Sequence, residues 1–310
     1  MNPPSSATPD SAASPRTAPF ANSPVRPLYW SIRRELWETR AVYIGPLAVA
    51  AIFLFGFLFY MHKLPGYLSP GMAAYPAQQR DLLLQPFDFA AAAVMGIAFI
   101  VGLLYCIETF YAERRDRSIL FWKSLPVSDL AVVLSKASIP FLVVPAVCYA
   151  ITFVLQLIML LLSSLVLLAN GLSASALWDA LNFFPSLFYL LYHIFTVHVL
   201  WYAPIYGWLL LISAWARRVP LLWAVLPPLA IGMFERLVFG TSHFGAFIGS
   251  RFSGGPEMDT SKMDAAFPFH HGVHLTPGHF LMSPGLWFGL LFAAGFLFAA
   301  ARIRRYREPV

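Results

Sequence analysis

AERRDRSILFWKSLPVSDLAVVLSK, residues 112–136, is the stretch on which the reading of this chain turns. Charge is scarce elsewhere, yet Glu113, Arg114, Arg115, Asp116 and Arg117 stand in a row here. Apolar runs long enough to cross hydrocarbon flank the stretch on both sides, so it reads as a charged loop between two membrane helices. Inside it, Ile119-Leu120-Phe121-Trp122 forms a short apolar cluster. Asp116–Lys123 has room for about two helical turns, and Pro126 stops them. Ser128-Asp129 then supplies an N-cap for the next helix.

Composition agrees with this reading. The chain has 310 residues, of which 59% are hydrophobic and 12% charged, with a mean hydropathy of +0.66. Soluble domains carry about 25% charged residues, so the deficit points to an integral membrane protein. The net charge of +6 fits cytoplasmic loops on anionic lipid rather than nucleic acid, for which no basic, aromatic-rich patch is present. Cys106 and Cys148 both lie in apolar runs and read as small buried hydrophobes, not a disulfide framework. Residues 1–27 are rich in Pro, Ser and Ala. They lack an apolar h-region and read as a disordered tail rather than a signal peptide.

From Leu28 onward the expected class is all-α, with six transmembrane helices behind an N-terminal interfacial helix. Leu28–Arg40 places Tyr29, Ile32 and Leu36 at helical spacing, with Trp30 and Trp37 suited to the headgroup level. Arg34 and Glu38 are four apart and pair on the wet side. Expected spans are about 42–61, 87–111, 138–168, 183–215, 219–239 and 285–301. Residues 62–86 are expected to be an irregular loop, and Pro227-Pro228 to break or bend the fifth span. The fourth stretch exceeds the roughly 20 residues of one straight crossing, so it tilts or protrudes. Arg26, Arg33, Arg34, Arg40, the 112–136 loop, Arg217, Arg218 and the arginines of 302–307 fall on one side of this topology. Lys63, Arg80, Arg236, Arg251 and Lys262 fall on the other. The positive-inside rule then puts both termini in the cytoplasm of a cell that carries the chain, multi-pass, in its inner (plasma) membrane.

Site motifs are sparse. The sequence holds no G-x-x-x-x-G-K-[ST], G-x-G-x-x-G, HExxH, CxxC or GxSxG. His270, His271 and His274, with His243 and His279 nearby, form the one metal-like cluster. No acidic or cysteine ligand sits at tight spacing, and they read as polar residues of an outer loop. Glu108, Gln156, His193 and His198 are the polar groups of the spans, and they favour a hydrophobic or amphipathic cargo.

The run Glu113–Lys136, with Ser124-Leu125-Pro126-Val127-Ser128 between the second and third spans, resembles the permease subunits of type-2 ABC exporters (ABC-2 permeases). The entry helix, six spans and long last outer loop are similar as well. The resemblance implies that two permease copies, or this chain and a related one, pair and bind separate ATPase subunits. ATP-Mg then sits on the partner ATPase, and this chain carries no cofactor, no metal and no catalytic residue. It implies that Glu113 is the acidic position before the coupling helix. Arg114, Arg117, Ile119, Phe121 and Trp122 then contact the ATPase, with Leu125 and Pro126 ending the helix. Membrane lipid is the remaining partner, and nucleic acid is not one. The alternatives are a membrane anchor or assembly factor with a transporter-like fold, and a membrane-embedded metal enzyme using the outer histidines.

Overall fold

The computed structural model describes residues 25–68, 76–118, 128–252 and 277–306. Among these the chain is all-α, with no strand. Helix α1 (Val25–Glu38) leads into α2 (Ala41–Tyr60), which continues through a 3-10 turn at Met61–Lys63 into the short α3 (Leu64–Tyr67). Helix α4 (Pro76–Arg115) is followed by α5 (Asp129–Ser138), a π-helical turn at Ile139–Val143, and α6 (Val144–Ala169). Then come α7 (Ser175–Leu181), α8 (Phe183–His193), a second π-helical segment at Ile194–Trp201, and α9 (Ala203–Trp215). Helices α10 (Pro220–Phe239), α11 (His243–Phe252), α12 (Pro277–Met282) and α13 (Pro284–Tyr306) complete the chain.

Six helical stretches among the described residues are long and apolar enough to cross a membrane: Ala41–Tyr67, Gln79–Arg115, Asp129–Ala169, Leu177–Trp201, Pro220–Phe239 and Pro284–Tyr306. The protein is therefore a multi-pass membrane protein. Several boundaries differ from the sequence expectation. The second helix starts at Pro76, not Phe87, and continues uninterrupted through Pro86. Proline suits the first turn of a helix, where its missing N–H would be unpaired anyway. The third stretch starts at Asp129 because the Ser128 hydroxyl accepts from the Ala131 N–H at 3.2 Å, an N-cap as the sequence suggested. The fourth is divided at Tyr202, ahead of Pro204.

The bundle core is built mainly on α4, which packs against α2, α6 and α9, while α9 lies closely along α13. Gly207 makes that last approach possible: a Cβ there would meet Ala293 backbone atoms at 3.2 Å. Small residues at such crossings let helix backbones come close where no hydrophobic force separates protein from lipid. Helix α10 is the contrast, with most of its apolar side chains exposed from Leu221 to Phe239.

Pro227-Pro228 does not break α10, which runs without interruption from Pro220 to the left-handed Gly240. Pro228 deprives the Ala224 carbonyl of its usual helical donor. The Trp208 indole N–H, coming from α9, donates to that carbonyl at 3.0 Å. The same arrangement recurs at Pro86, which frees the Leu82 carbonyl. The Tyr60 hydroxyl of α2 donates to it at 2.8 Å. Backbone groups must be satisfied inside hydrocarbon, and here aromatic side chains of a neighbouring helix do it. Trp208→Phe is therefore expected to destabilise the protein by about 1–2 kcal/mol. Adding Pro228→Ala, which restores the helical N–H, should recover most of that loss. Thermal unfolding of the single and double variants in mild detergent checks this, and equal losses with and without proline would contradict it.

A buried charge joint as candidate functional site

Helix α1 presents two faces. Trp30 and Trp37 are 60% and 68% exposed, and both flank Arg33, whose guanidinium lies 5.3 Å from each ring. Arg34 pairs with Glu38 at 2.6 Å, as their spacing suggested. Tyr29 lies in this helix, but its side chain is outside the described residues. The other face carries Ile32 and Leu36 against the core, with Glu35 between them. Glu35 is buried.

What Glu35 meets is the centre of the site. The Lys136 ammonium, on α5, donates to Glu35 Oε1 at 2.7 Å and to the Thr109 hydroxyl at 2.9 Å. It also lies 3.1 Å from Glu113 Oε1. Two hydrogen bonds and one ion-pair contact thus place three oxygens around the ammonium. The Tyr105 hydroxyl donates to Glu35 Oε2 at 2.8 Å. On its far side Glu113 receives a charge-assisted bond from Arg304 Nη1 at 2.5 Å. Arg304 also faces Asp129, with Nε to Oδ1 at 3.4 Å. Phe110 presents its ring to both cations, 5.6 Å from Lys136 Nζ and 5.7 Å from Arg304 Cζ.

Three carboxylates and two cations therefore form one chain of contacts that crosses α1, α4, α5 and α13. Arg114 makes a second link beside it. Its Nη2 donates to the Ser213 and Ala216 carbonyls at 2.5 and 2.6 Å, placing a cation at the C-terminal end of α9. The Ser213 hydroxyl in turn accepts from the Phe110 and Tyr111 N–H groups. The contacts bring the end of α4, the start of α5, the ends of α9 and α13, and helix α1 to one end of the bundle. Loop 116–128 leaves from and returns to that end, so the joint lies at its base.

The residues singled out in the sequence fall in three groups. Glu113 and Arg114 are buried, and their side chains bond within the bundle. Arg117 is exposed and left-handed, with φ 58°, and begins the turn out of α4. Ile119, Phe121, Trp122, Leu125 and Pro126 lie outside the described residues. Glu35, Thr109, Asp129, Lys136 and Arg304 complete the joint, although no sequence motif singles them out. One signal was available: Glu35 shares the stripe of Ile32 and Leu36 instead of the wet face of Arg34 and Glu38. Glu108, by contrast, is exposed near Arg115 at 3.9 Å.

On the opposite side of the chain's charge pattern, Arg251 of α11 is buried between Trp201, with Cζ 4.0 Å from the ring centroid, and α13. It donates to the Trp201 carbonyl at 3.3 Å and to the Gly285 carbonyl. Gly289 makes room, since a Cβ there would stand 2.8 Å from the guanidinium. Burial lowers the pKa of Arg251 from its ordinary value, but an arginine stays charged at neutral pH. Glu235 caps the start of α11, accepting from the His243 and Phe244 N–H groups at 2.7 and 2.8 Å. Among the described residues no group of three or more His, Cys, Asp or Glu is placed to hold a metal ion. His270, His271 and His274 lie outside them, as does the side chain of His279. Searches against protein-family models, curated proteins and solved structures return no match.

Removing one member of a buried ionic network leaves its partners charged and uncompensated, a cost of about 3–5 kcal/mol. Lys136→Met is expected to lose that much, because two buried acids share the one ammonium. Adding Glu35→Gln should recover part of the loss by removing one of the orphaned charges. Melting of both variants in detergent decides; a single variant as stable as wild type would show that the joint carries no weight.

Proposed function

We propose that this chain is the membrane-spanning permease subunit of an ABC transporter, an exporter driven by a separate ATPase that docks on loop 116–128. In this reading both termini are cytoplasmic, the membrane is the inner (plasma) membrane, and ATP-Mg is bound and hydrolysed on the partner. A second permease, identical or related, completes the transporter.

The observation that carries the proposal is the charge joint at the loop's base. A docking partner pushes on a loop, and a push does work only if the loop's two arms are tied to the helices that must move. Glu113 sits on the arm leaving α4, and Asp129 and Lys136 sit on the arm entering α5. Their bonds reach α1 through Glu35 and α13 through Arg304. Displacement of the loop is thereby delivered to four helices together. Charges buried inside a bundle are costly unless paired, and their number supports a mechanical role over simple membrane attachment. The missing P-loop also fits, since the motor would be another chain.

Purification of the full chain from its native host in mild detergent, with mass spectrometry of its companions, tests the reading. A stoichiometric P-loop ATPase is expected; its consistent absence would overturn the proposal. Within the same experiment, Phe121→Ala with Trp122→Ala should lower ATPase recovery, because buried aromatic anchors are worth about 1–3 kcal/mol each at such contacts. Unchanged recovery would remove these two residues from the docking surface.

A further inference from the structure

The second π-helical segment, Ile194–Trp201, has no part in the charge joint. In this geometry hydrogen bonds run from i to i+5, so residues five apart come onto one side, and such segments recur at functional sites. His193, the last residue of α8, and His198 within the segment are five apart, and their ring centroids are 6.3 Å apart. Both are half-buried, within a stretch apolar enough to cross the membrane. Among the described residues, neither imidazole makes a hydrogen bond.

Aromatic rings pack against His198. His198 meets Tyr202 at 5.4 Å and Phe99 of α4 at 6.2 Å, both edge to face. Phe99 in turn lies 4.4 Å from Tyr202 and 6.5 Å from Phe252 of α11. Phe252 is 55% exposed. It follows Arg251, whose bonds to the Trp201 and Gly285 carbonyls fix α11 over the end of the π-helical segment. The result is an apolar wall with two unused imidazole edges. Each neutral ring offers one donor and one acceptor, and leaving such groups unmatched in hydrocarbon is unfavourable.

We propose that His193 and His198, with Phe99, Tyr202 and Phe252, form a binding site for an apolar molecule that carries a hydroxyl group, such as a long-chain phenol. The rings take the apolar body and an imidazole bonds the hydroxyl. Calling this molecule the cargo rests on the permease reading; the binding itself does not.

The test uses the full chain in lipid nanodiscs without any ATPase, so the ATPase pull-down and this experiment can fail independently. Two radiolabelled probes are compared, 4-dodecylphenol and dodecylbenzene, which differ by one hydroxyl. Wild type is expected to favour the phenol by about 3- to 10-fold, the value of one hydrogen bond. His193→Phe with His198→Phe should abolish the preference while leaving dodecylbenzene binding in place, which also shows that the variant is folded. His198→Gln, which keeps a donor and an acceptor, should retain a preference, and Phe252→Ala should weaken both probes alike. Equal binding of the two probes by wild type would overturn the proposal. So would a phenol preference that survives loss of both imidazoles.

Discussion

One ammonium group sets the register of this bundle. Lys136 is surrounded by Glu35, Glu113 and Thr109 at bonding distance. These acceptors come from α1 and from two turns of α4, so sliding α5 past either helix would strand a charge in the interior. Apolar packing between transmembrane helices is permissive, since lipid chains serve nearly as well as leucine. An ion buried among ions is not. Arg304 extends the same requirement to α13, and the Phe110 ring lies within cation–π reach of both cations. Such a network stabilises little compared with a well-packed apolar core, but it excludes alternative arrangements.

A second constraint shapes the regions away from the joint. The chain places prolines inside apolar helices at Pro86, Pro227 and Pro228. At Pro86 and Pro228 the carbonyl left without its helical donor is taken up by an aromatic donor on another helix. Trp201 offers a related case, because its carbonyl stands where the π-helical segment ends and Arg251 reaches it from α11. At Pro86, Pro228 and the end of the π-helical segment, irregular backbone is thus matched by a tertiary contact. Tyr60, Trp208 and Arg251 are each bound to the local defect they repair.

Local features of the sequence translated directly into structure. The apolar runs, the Ser128 cap and the Arg34–Glu38 pair all depend on residues within a turn or two of one another, and periodicity reports them. The all-α membrane class followed from length and hydropathy alone. The joint did not, because its members are far apart: Lys136 is 101 residues from Glu35, and Arg304 is 191 residues from Glu113. Nothing in the spacing of either end names its partner. The uninterrupted course of α10 through Pro227-Pro228 was hidden for the same reason, since the compensating indole comes from a different helix. Charge counting placed Lys136 and Arg304 on a wet basic surface, whereas their acidic partners draw them inside.

The position of Arg304 also bears on how the chain is made. Synthesis proceeds from the N-terminus, so Glu35, Glu113, Asp129 and Lys136 are all in place long before residue 304 emerges. Until then the joint holds three acids and one base, and Glu113 lacks its shortest ion pair. The joint is closed only once α13 has followed the other helices out of the ribosome. A chain that stops short of Arg304 would leave Glu113 and Asp129 without that shared cation.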